Sequence, residues 1–129
     1  MRFIGVDPGA NYTGVAVLED DGTFSAHREF GSPLDAWRMI YAETRKDPNT
    51  TIILEDLLGS GRHDSFITKT LKVVGYLYWR CIESVLSVIL VPNQRRIANV
   101  QNVPDDITGK DERAAAAHAL TARERWPHT

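Results

Sequence analysis

Two acids stand where chemistry could be done: Asp7, after the apolar run Phe3-Ile4-Gly5-Val6, and Glu55, after Thr51-Ile52-Ile53-Leu54. Each closes a short apolar strand. Neighbouring strands of one sheet would hold such residues side by side at the carboxyl edge, where α/β sheets commonly bind ligands. Two carboxylates brought together repel unless one is protonated or cations lie between them. Oxygen ligands without clustered cysteine or histidine favour Mg²⁺ or Mn²⁺ over zinc. Two such ions about 4 Å apart can activate a water and stabilise the leaving oxygen in phosphodiester cleavage. The plain alternatives are a turn acid in Asp7-Pro8-Gly9 and a strand-end acid reaching solvent at Glu55. Asp56 alternates to the opposite side of its strand and is read as a bystander. A third stretch, GKDERAAAAHAL from Gly109 to Leu120, has an acidic start and an apolar face that ends in His118. It fits a metal-binding helix, a packing helix, or an active-site helix with a part missing.

The elements that must position these residues follow from periodicity and turn chemistry. Phe3 to Val6 is a strand cut by Asp7-Pro8-Gly9; Thr13 to Leu18 is a second, and Asp20-Asp21-Gly22 is a hairpin turn into a third over Thr23 to Phe30. Ser32-Pro33-Leu34-Asp35 starts a helix with a serine cap, proline at the first position and an early acid, and it runs to about Lys46. Thr51 to Leu54 reads as a central strand buried on both faces. A long helix follows from about Asp64 to Ser84, then another buried strand, Ser87 to Val91, a short basic helix with Arg95 and Arg96, and a last helix from about Thr108 to Arg125. This order predicts an α/β fold. Its mixed sheet has about five strands, an antiparallel three-strand meander plus parallel strands, with helices on both faces.

Phe3-Ile4-Gly5-Val6-Asp7-Pro8-Gly9 with Thr13-Gly14-Val15-Ala16 resembles the first hairpin of RuvC-type Holliday junction resolvases, members of the RNase H-like superfamily. Ile52-Ile53-Leu54-Glu55 resembles the strand that carries their second acid, and the last helix falls where they place their remaining acids. The resemblance spans nearly the whole chain in order and is closest to the compact phage versions. It implies a homodimeric, Mg²⁺-dependent endonuclease selective for four-way DNA junctions, with Asp7 and Glu55 as metal ligands. The family's last helix has two ligands three residues apart, the first Asp or His, the second Asp. Anchoring on Arg113 and His118-Ala119-Leu120 puts Asp111 at the first place and Ala114 at the second. Alanine binds no metal, so three carboxylates stand where four would better balance two divalent ions. Ala114 is therefore read as a replacement, natural or engineered, that impairs the chemistry. His118 faces the same side as Asp111 two turns on and is read as a packing or supporting group beside the ligands. Glu112 points about 100° away and is read as a solvent-exposed helix acid.

Net charge is −2, so any DNA surface must be a local basic patch. Lys69, Lys72, Tyr76 and Arg80 form one stripe along the long helix, preceded by Arg62 and His63 near Glu55. The stripe is either a solvated face or a set of phosphate contacts. Arg95 and Arg96 fall where the resolvases carry basic residues near the scissile phosphate; the plain alternative is ion pairing with Asp105 or Asp106. Leu58 stands where the family has an aromatic that opens the junction centre. The long helix is apolar around more than one face (Leu71, Val73, Val74, Leu77, Tyr78, Trp79), which suggests a partner subunit. Trp37, Trp79 and Trp126 are read as core or interface residues.

The length of 129 residues fits one domain over 1–129. The single cysteine, Cys81, excludes an internal disulfide and fits a cytoplasmic protein of a bacterial or phage-infected cell. No apolar run approaches a membrane span, and the N-terminus is not read as a signal peptide. Two rival readings share the motifs. One is a related RNase H-like nuclease acting on RNA or flap DNA. The other is a branched-DNA-binding module that does not cut, which Ala114 favours. A sugar-kinase or actin-like ATPase, whose phosphate loop resembles Asp7-x-Gly9, needs two such domains and more chain than this.

Overall fold

The structure, a computed structural model, describes residues 1–56, 65–92 and 97–126, with side chains of 65–67 excepted. Its elements in chain order are strands β1 (Arg2–Asp7), β2 (Thr13–Leu18) and β3 (Phe24–Phe30), helix α1 (Pro33–Lys46), strand β4 (Thr50–Asp56), helix α2 (Ser65–Glu83), strand β5 (Ser87–Pro92), a 3-10 turn (Val100–Asn102) and helix α3 (Lys110–Arg125). The sheet order is β3-β2-β1-β4-β5. β1, β2 and β3 form the antiparallel meander, and β4 and β5 add in parallel to β1. This is the α/β mixed sheet that the sequence predicts.

Strand alternation divides the core into two layers. Ile4, Val6, Val15, Val17, Ile52 and Leu54 face one way and pack with Ala36, Trp37 and Ile40 of α1 and Val73, Val74, Leu77 and Cys81 of α2. Phe3, Ala16, Leu18 and Ile53 face the other way and meet the alanines of α3. That second layer is thin, because two glycines let α3 lie backbone to backbone on the sheet. A Cβ at Gly5 would stand 1.8 Å from the Ala115 carbonyl oxygen, and one at Gly14 would stand 2.1 Å from that of Asp111. The alanine run therefore has a structural reason: larger side chains on that face would lift the helix away.

Two polar networks fix the ends of this arrangement. Buried Arg2 binds Glu19 at the end of β2 and Glu43 of α1, at 2.9 and 2.6 Å. Arg113 donates to the carbonyls of Val100, Val103, Pro104 and Ile107, which ties the segment before α3 to the helix. One expectation is corrected. Ser87–Val91 is an edge strand that, among the described residues, pairs with β4 alone, and its residues are half-buried or exposed rather than fully buried. Its apolar composition reports a need for cover without saying what supplies it.

Candidate active site

Three elements deliver acids to one place. The β1–β4 register pairs Gly5 with Ile53 and Val6 with Leu54, so the next residues along, Asp7 and Glu55, are neighbours at the carboxyl edge. Both alternate onto the face covered by α3. Asp7 also pairs across β1–β2 with Gly14, against which the Asp111 backbone rests. The first turn of α3 is thereby brought over the end of β1, and Asp7 lies within hydrogen-bonding reach of both Glu55 and Asp111. Leu54 and Asp56 face the other way, and Asp56 lines a shallow groove with Leu71, Val74 and Leu90.

The electrostatics follow from crowding. Burial, the Glu55 hydrogen bond and charge, and the Asp111 charge together push the Asp7 carboxyl up to about 9, so it is protonated at neutral pH. Burial also acts to raise Glu55, but hydrogen bonds from His118 and Asp7 outweigh it and hold Glu55 below the ordinary carboxylate range. Asp111 is raised, first by burial and then by the charge of Glu29. Asp7 is thus the proton holder of a cluster that would otherwise repel itself. His118 Nε2 donates to Glu55 Oε1 at 3.0 Å, with both side chains buried. His118 is therefore in direct contact with Glu55, from the same helix face as Asp111 and Ala114, which is itself buried.

Among the described residues, no three His, Cys, Asp or Glu side chains converge as a bound ion would gather them. The acids meet in pairs through Asp7. The donor chemistry nevertheless fits a hard divalent cation: carboxylate oxygens from Asp7, Glu55 and Asp111 at one sheet edge, crowded enough to retain a proton that a cation would displace.

The remaining sequence-derived candidates are spread out. Lys69 and Lys72 are exposed on α2, across the sheet from α3. Arg80 is occupied by the rings of Tyr76 and Trp79 and by Glu83, at 3.7 Å. Arg62, His63, Arg95 and Arg96, together with Leu58, lie outside the described residues. Glu112 is a correction. It is buried, not solvent-exposed, because it folds back to accept from the amides of Gly109 and Thr108 at 2.9 and 3.1 Å and meets His27 Nδ1 at 3.2 Å. Its position three residues into the helix is the local signal for that cap. Glu29 is the group the sequence reading missed. From β3 its Oε1 accepts the amides of Asp111 and Glu112. Nothing in a strand of alternating polarity marks it for that.

No protein-family model matches the sequence, and no curated relative does. Solved structures do match. Thermus thermophilus RuvC in complex with a Holliday junction substrate is 14% identical over 97% of this chain and 95% of that one, with a TM-score of 0.71. A second Thermus thermophilus RuvC structure, also 14% identical, covers 98% of this chain and 97% of its own, with a TM-score of 0.66. The fowlpox virus resolvase in complex with substrate Holliday junction DNA is 14% identical over 97% of this chain and 98% of its own, with a TM-score of 0.56. At this identity the likeness shows the fold: the chain has the RNase H-like fold of RuvC and of the fowlpox enzyme.

Proposed function

We propose that this chain is a nuclease of RNase H-like type that resolves four-way DNA junctions by phosphodiester hydrolysis, acting as a homodimer. The observation that carries the reading is that Asp7 pairs with both Glu55 and Asp111 at one sheet edge, in a fold shared with two proteins whose structures hold Holliday junctions. Asp7, Glu55 and Asp111 would hold Mg²⁺ or Mn²⁺, two ions per site, which when bound activate a water and stabilise the leaving oxygen. Glu55, kept ionised and oriented by His118, is ready to ligate, whereas Asp7 must first release its proton. His118 supports Glu55 through the hydrogen bond between them. Phosphates of the branched DNA would be met by Lys69 and Lys72, by Arg62 and His63 before α2, and by Arg95 and Arg96 after β5. Arg80, already stacked on two rings, would contribute through whatever charge it leaves exposed.

Ala114 sits where a fourth acid would complete the set, about 60° from Asp111 around the helix. Restoring a ligand worth several kcal/mol of transition-state stabilisation corresponds to at least about a hundredfold in rate. Ala114→Asp is therefore expected to raise Mg²⁺-dependent junction cleavage by that order beside the unmodified chain. No rise would remove Ala114 as the gap. The same comparison on a flap and on RNA separates a junction enzyme from a related RNase H-like nuclease. The alanine also favours a second reading, a branched-DNA-binding module that does not cut: tight junction binding with no nicking in Mg²⁺ or Mn²⁺ supports it, and paired nicks exclude it.

A further inference from the structure

We propose that Glu29 is a positioning residue that fixes Asp111 in the acidic cluster from the edge strand β3, on the sheet face that α3 covers. The cap position before helix α3 is Gly109, which has no side chain to cap it. The amides of the second and third helical residues need an acceptor, and on most helices the residue at the start supplies one. Here Glu29 Oε1 does so from β3, at 2.8 Å from the Asp111 amide and 3.3 Å from that of Glu112. Gly109 makes room for it, since a Cβ there would stand 2.3 Å from the same oxygen. The cap has moved from the helix's own chain to a neighbouring strand, and the glycine and the glutamate are complementary halves of it.

The route of Glu29 explains why it bears on Asp111. Glu29 pairs with Gly14 across β2–β3, and the Asp111 carbonyl lies against Gly14. The backbone of Asp111 is therefore held at both its groups, the carbonyl against β2 and the amide by β3, while its side chain reaches Asp7. Glu29 touches no reacting atom; it acts through the backbone of Asp111. The consequence for metal affinity rests on the reading of the cluster as a metal site. Groups that orient ligands typically matter by roughly tenfold or more in metal affinity.

The test uses the full chain and three variants: Glu29→Ala removes the acceptor, Glu29→Asp keeps the charge but shortens the reach, and Glu29→Gln keeps the reach and the acceptor without the charge. Two quantities are measured: hydrogen exchange of the Asp111 and Glu112 amides by NMR, and Mn²⁺ affinity from the resonance signal of free Mn²⁺. Glu29→Ala and Glu29→Asp are expected to speed exchange at those two amides by roughly tenfold and to weaken Mn²⁺ by a similar factor. Glu29→Gln restores most of both. Unchanged exchange in the alanine variant overturns the proposal. So does faster exchange with Mn²⁺ affinity intact, which would make Glu29 a structural cap alone, and so does rescue by aspartate but not glutamine, which would make its charge the cause. Absence of Mn²⁺ binding by the unmodified chain would instead sink the metal reading, and exchange alone would then decide whether Glu29 holds Asp111.

Discussion

Under the metal-site reading, Asp7 faces two demands that pull against each other. To ligate a cation it would have to be ionised, yet the fold keeps it protonated up to a pH of about 9. Its unfolded counterpart ionises near its ordinary value of 3.8. The folded chain therefore binds an extra proton between those values, and stability falls as pH rises through the window. The contribution is fully present below the lower value and lost as pH approaches the upper one. Glu55, shifted downward, contributes with the opposite sign and only on acidification. Asp7→Asn, which can donate to the same neighbours without ionising, is expected to flatten the loss of thermal stability between about pH 6 and pH 9 in metal-free protein. Parallel losses in both proteins would show that another group holds the proton. At this scale the sequence was partly readable. Asp7 and Glu55 stand out because each ends an apolar strand, and Asp111 because it opens an acidic helix turn. Glu112 misled because its exposure was inferred from helix bearing alone, although its carboxylate closes back on its own first turn and on His27.

Among the elements, the contact of α3 with β1 and β2 decides whether a site exists. Gly5→Ala would drive a methyl into the Ala115 carbonyl, a backbone atom that cannot rotate aside. Overpacking of this kind typically costs up to about 3 kcal/mol or more, which for a chain of this size lowers Tm by roughly 10 °C. A thermal melt checks it, and an unchanged Tm would mean that α3 can retreat without loss. Most elements were legible from periodicity and turn residues: β2 runs over the predicted span and α1 ends as predicted, with Ser32 capping through Asp35. What periodicity could not supply was the distance between layers. That depends on glycines and alanines facing each other across a contact that only the folded chain forms. Glu29 was hidden for the same reason, since its partners belong to a helix more than eighty residues later.

For the whole molecule, several of the exposed apolar side chains among the described residues lie on α2 and the neighbouring strand β5. Tyr78, Trp79 and Ile82 of α2 are 38%, 54% and 53% exposed, and Leu90 of neighbouring β5 is 37% exposed. The apolar surplus of α2 was visible in the sequence; that β5 shares it was not, because SVILV reads equally as a strand covered on both sides. Under the homodimer reading this surface is where copies would meet. Ile82→Glu is then expected to convert a dimer to a monomer in sedimentation velocity at micromolar concentration while leaving the melting temperature of the monomer nearly unchanged. An unmodified chain that sediments as a monomer would rule the pairing out. Because α3 rests on Gly5 and Gly14 through its own backbone, the joint is encoded apart from the acids it aligns. A lineage that exchanges or discards an acid keeps the joint for as long as those small residues remain. Paired glycines in the first hairpin, followed far downstream by an alanine-rich helix, are thus a signature of architecture alone. They would single out descendants whose chemistry has changed or lapsed, which a search keyed to carboxylates passes over.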